Sequence, residues 1–98
     1  MDKEGFRQML QTRRLSEDTI GASIALAERF DQFLRDSDGR PSGESALAFS
    51  DVLIREGQNT QDNYFALARY GRFIKNDDIY VAVLELVDGA EAQANLRR

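Results

Sequence analysis

Thr60–Val87 reads TQDNYFALARYGRFIKNDDIYVAVLELV, and the conformation of its two halves sets the architecture. In the first half Thr60 is a good N-cap, because its hydroxyl can take a free N–H of the first helical turn. Asp62 suits the positive helix end. Leu67, Tyr70 and Ile74 recur at helical spacing, flanked by Tyr64, Ala66 and Phe73, which predicts an amphipathic helix over 60–76. Gly71 inside it implies close contact with another helix. The second half, Ile79–Val87, is the most apolar run in the chain. Its β-branched and aromatic residues would suit a buried strand. A single strand leaves its backbone unpaired, however, and no second strand is evident. A helix over 78–96 is therefore expected, with Asn76-Asp77-Asp78 as the interruption before it and a break or kink at Asp88-Gly89. Arg97 and Arg98 follow at its C-terminal end.

The rest of the chain reads as three more helices. Over 2–13, Phe6, Met9 and Leu10 share a face, and Arg13-Arg14 put cations at the favourable end. Ser16 caps a helix over 16–36, with Glu17 and Asp18 in its first turn. Its buried face is Ile20, Ile24, Ala27, Phe30 and Leu34, widened by Leu26 and Phe33. Gly21 within it predicts the close approach of a neighbouring helix, and Asp31–Arg35 is an i,i+4 ion pair. Ser37 to Gly43 is dense in turn formers and reads as a loop. A helix over 43–56 points Ala46, Phe49, Val52 and Leu53 inward, pairs Asp51 with Arg55, and stops at Gly57. The result is an all-α fold, a compact bundle of about five helices in one domain over 1–98, whole or as a module of a longer chain.

Composition narrows the function. The chain has 98 residues, 42% hydrophobic and 31% charged, which is ordinary globular usage. There is no cysteine and no histidine, so disulfides, thiolate metal sites and the commonest general base are all absent. Carboxylates sit in caps, loops and outer faces, except Glu85, and solvated carboxylates make poor general acids. No glycine-rich phosphate loop occurs. Asp36 and Asp38 are close in sequence, but the spacing of a calcium loop is missing. The expectation is a non-enzyme without cofactor or metal. No apolar stretch is long enough to span a membrane, and Met1-Asp2-Lys3-Glu4 lacks the apolar core of a signal peptide, so the chain reads as cytoplasmic.

Two faces remain as binding candidates. Arg69, Arg72 and Lys75 lie along one side of the 60–76 helix beside Phe65, and their i−4 neighbours are Phe65, Ala68 and Gly71 rather than acids. Such a face can meet phosphates and stack on a nucleobase; the plainer alternative is solvated cations with Phe65 under a neighbouring helix. The other face is Ile79, Tyr80, Val83, Leu84 and Val87. A helix apolar nearly all round is either the central core of the bundle or a contact surface for a second copy or another protein. The net charge of −4, with a pI near 4.8, weighs against binding nucleic acid by bulk charge but leaves room for a local basic face.

Leu15-Ser16-Glu17-Asp18-Thr19-Ile20, with Leu26, Phe30 and Phe33-Leu34, and then Thr60, Asn63, Ala66-Leu67, Arg69 and Phe73-Ile74, form a pattern. It resembles the N-terminal core-binding domain of tyrosine recombinases and phage integrases, a helical module often called SAM-like. The resemblance covers about residues 10–78. It departs at Ser23, where an aromatic is expected, and the family's catalytic domain has no room in this chain. The resemblance implies a DNA-binding module, with Arg69, Arg72 and Lys75 in the region of DNA contact.

Overall fold

Each apolar stripe becomes the inner face of a helix in the computed structural model, which describes the backbone of residues 1–96 and the side chains of 1–88. The elements are α1 (Lys3–Thr12), α2 (Glu17–Asp36), α3 (Gly43–Arg55), α4 (Gln61–Phe73) and α5 (Asp77–Leu96). No strand occurs among the described residues, so the Ile79–Val87 run is helical. The radius of gyration is 13.3 Å, close to the ~13 Å of a compact chain this long, so the five helices form one globule.

Side-chain caps start the helices. Asp2, Ser16, Ser42 and Thr60 each accept a hydrogen bond from the backbone N–H three residues on. Ser42 and Ser45 bond reciprocally, as in a capping box. The ends of α2, α3 and α4 share one geometry. The N–H groups of Gly39, Gln58 and Asn76 reach back to the carbonyls of Leu34, Leu53 and Gly71. The residue before each of them takes positive φ: Asp38 at 52°, Gly57 at 70° and Lys75 at 58°. This is the Schellman stop, and only Gly57 occupies its left-handed position without a steric cost. Lys75 therefore lies beyond the last turn of α4, so the helix is shorter than the spacing alone predicts.

Asn76 links three elements. Its N–H closes α4, and its Oδ1 accepts from Ile79 N–H at 3.2 Å, as an N-cap of α5 does. Its Nδ2 donates to Pro41 O at 3.0 Å in the α2–α3 loop. α5 then runs without interruption to Leu96, so the break expected at Asp88-Gly89 does not occur. Arg97 and Arg98 lie outside the described residues.

The core is continuous. Phe73, Phe6, Tyr70, Phe30, Phe49 and Phe33 follow one another from α4 through α1, α2 and α3, with centroid separations of 5.3–6.3 Å. Tilted and edge-on rings at such spacings each add about 0.5–1.5 kcal/mol beyond burial. Tyr70 crosses this core and donates its hydroxyl proton to Asp31 Oδ1 at 2.9 Å. Burial, the hydrogen bond and the Asp31 charge together raise the Tyr70 pKa well above its usual value of 10.

Three local expectations are corrected. Asp31 turns to Tyr70 and the Met1 amino group (3.6 Å) rather than to Arg35, because the phenol hydroxyl offers it a partly buried donor. Arg55 Nε donates to the Asp51 carbonyl at 3.4 Å and forms no ion pair with its carboxylate. Cross-helix pairs form instead: Lys3–Glu28 at 3.0 Å, Arg7–Glu17 at 3.5 Å, and Arg29–Glu56. Gly21 is exposed, and a Cβ built on it would meet nothing within 4 Å, so no neighbouring helix explains it. Gly71 behaves as expected: a Cβ there would lie 2.8 Å from Ile79 Cγ2.

Candidate nucleic-acid interface

Phe65, Arg69 and Arg72 fall at i, i+4 and i+7 on α4, so one turn of the helix stacks each above the last. The opposite side of α4 supplies Leu67 and Tyr70 to the core, which leaves this stripe facing outward. Phe65 is 37% exposed, so it is not sealed beneath a neighbouring helix. Arg69 is half-buried, and Arg72 is exposed. The Arg72 guanidinium lies 4.7 Å from the centroid of the Tyr80 ring, a cation–π contact that orients it without consuming its charge. Lys75 is exposed and lies past the C-cap of α4 with positive φ, so it does not continue the helical series of Phe65, Arg69 and Arg72. Among the described residues none of the three cations is ion-paired.

The surroundings of Arg69 differ from those of Arg72. Arg69 borders a cleft of about 370 Å³ between the N-terminal parts of α2 and α4. Asp18 and Asp62 line the same cleft, with Leu15, Ala22 and Ala66 as its apolar wall. Ser23 also lines it, although the residue is only 1% exposed. The composition of this cleft was not legible in the helical spacing. Asp18 and Asp62 each read as ordinary first-turn carboxylates. The available signal was Ser23, a hydroxyl next to Ile24 in an otherwise apolar stripe.

The second candidate face is distributed differently from its sequence pattern. Ile79 and Val83 are fully buried and Val87 is 4% exposed, packed inside the chain. Tyr80 and Leu84 are half-buried, and Tyr80 lies beneath Arg72. These five residues therefore do not form one open surface: three are core, for which the apolar periodicity is sufficient cause. What α5 presents outward is Val81, at 53% exposed, with Asp77, Asp78, Glu85 and Asp88.

No cluster of three or more potential metal-ligating side chains occurs among the described residues, and no helix there is long and apolar enough to cross a membrane. Comparison with protein-family models, curated proteins and solved structures finds no match to this chain.

Proposed function

We propose that this helical bundle is a non-catalytic module that docks duplex DNA through the outer face of α4. Arg69 and Arg72 would meet successive phosphates, Phe65 would lie against the sugar or base edge between them, and Lys75 would add charge from the helix end. The observation that carries this reading is the pairing state of the stripe. Arg7 and Arg29 meet carboxylates from elsewhere in the bundle; other arginines, Arg35 and Arg55 among them, also lack an ion pair among the described residues, but Arg69 and Arg72 stand one turn apart on a single helix face beside Phe65. Leaving cations unpaired along one helix gives a local positive field on a chain whose net charge is −4.

The test is binding of a short labelled duplex followed by fluorescence anisotropy over a salt series. Each phosphate contact contributes a slope of about −0.9 in log K against log salt, so two to three contacts predict about −2 to −3. Arg69→Ala/Arg72→Ala should weaken binding and flatten the slope by roughly 2. Absence of binding at low salt would overturn the reading.

A second reading is a protein-interaction or dimerisation module. Its support is the exposure of Ile54 (52%) and Val81 (53%), with Leu47 at 43%. Sedimentation at micromolar concentration tests the self-associating form: a dimer that Ile54→Lys or Val81→Lys dissociates would favour it, and a monomer would remove it.

A further inference from the structure

We propose that the cleft between α2 and α4 is a binding site for a small zwitterion, a free α-amino acid by chemical class. This goes beyond the DNA reading and shares only Arg69 with it. The cleft brings together one guanidinium and two carboxylates that do not pair with one another. Opposite charges lining one small cleft without an ion pair leave room between them for a third body. A simple anion would be favoured by Arg69 and repelled by Asp18 and Asp62. A simple cation would face the reverse. A ligand carrying both charges satisfies all three groups, with its carboxylate on the planar guanidinium fork and its ammonium donating to the acids.

Ser23 is the independent observation. It is 1% exposed, and among the described residues its hydroxyl makes no side-chain hydrogen bond. Ser23 is nonetheless one of the residues that line the cleft, so what little of it is exposed borders that space. A deep serine that lines a cleft can offer a donor and acceptor to whatever enters. At about 370 Å³ the cleft is at the lower end of small-molecule sites, a size suited to an amino acid rather than a nucleotide. The apolar wall of Leu15, Ala22 and Ala66 would receive a short side chain.

The test is titration of the ¹⁵N-labelled protein with each of the twenty common L-α-amino acids, followed by ¹H–¹⁵N correlation spectra. Saturable shifts centred on Ser23, Asn63 and Arg69, with a Kd below about 1 mM for at least one of them, are expected. Acetate and methylammonium, each carrying half of the zwitterion, should bind at least about tenfold more weakly. Arg69→Gln and Asp62→Asn should each weaken binding at least about tenfold, and Ser23→Ala, which does not disturb the helix, severalfold. Arg72→Ala should leave amino-acid affinity unchanged while reducing DNA binding, which separates the two readings. No saturable shift with any amino acid, equal affinity for the half-ligands, or unchanged affinity in these cleft variants would overturn the proposal.

Discussion

Two glycines show how the same residue, in the same kind of helix, is governed by opposite constraints. Gly21 is exposed, and a Cβ there meets nothing within 4 Å. Gly21→Ala should therefore stabilise the fold by about 0.5–1 kcal/mol, measured by urea unfolding, through higher helix propensity and a less flexible unfolded chain. At Gly71 a Cβ would sit 2.8 Å from Ile79 Cγ2 and 3.1 Å from its Cβ, both in a fully buried side chain. Gly71→Ala should cost about 1–3 kcal/mol in the same measurement, because α4 and α5 must move apart. In sequence the two positions look alike, and both suggest a close helix contact. The difference lies in what stands opposite, which no local spacing encodes. Asn76 was legible only as a helix interruption. It closes α4, caps α5 and holds the Pro41 carbonyl, so Asn76→Ala should lower stability by about 1–2 kcal/mol. Asn76→Asp retains the capping oxygen but lacks the Nδ2 donor, and should fall between the two.

Among the helices, α5 separates most clearly what periodicity can and cannot say. Its apolar run was readable as core or as contact surface, since both require the same residues at the same spacing. Burial divides it: Ile79 and Val83 have no exposure, whereas Val81 is 53% exposed. Ile79→Ala should cost about 2–5 kcal/mol in chemical unfolding, and Val81→Ala should change stability by less than about 0.5 kcal/mol. A large loss at Val81 would show that this face is covered in the folded protein. In α4 the buried arc around Leu67 and Tyr70 and the outer stripe of Phe65, Arg69 and Arg72 were both legible from the 3.6-residue repeat. The position of Lys75 was not, because a Schellman stop was not apparent without a glycine at its left-handed position. Lys75→Gly should relieve that conformation and raise stability by up to about 1 kcal/mol, while removing one candidate phosphate contact.

Across the bundle, Tyr70 joins α4 to α2 through Asp31, and its protonation is tied to folding. Its pKa is raised in the folded state, so the folded chain holds the phenol proton more tightly than the unfolded chain does. The associated stability is complete below about pH 10, the value for an unfolded tyrosine, and is lost as pH rises above it towards the folded value. Thermal melts should show a steep alkaline loss that Tyr70→Phe makes shallower. The number and order of the helices, most of their inward faces and the N-caps Ser16 and Thr60 follow from residue order alone, because they depend on neighbours within four positions along the chain. The α2–α4 cleft, the carboxylates that Lys3, Arg7 and Arg29 find, the burial of Ile79 and Val83 and the opposite roles of Gly21 and Gly71 were decided in tertiary structure. Each depends on residues far apart in the chain, and their meeting is set by how five apolar faces close on one core.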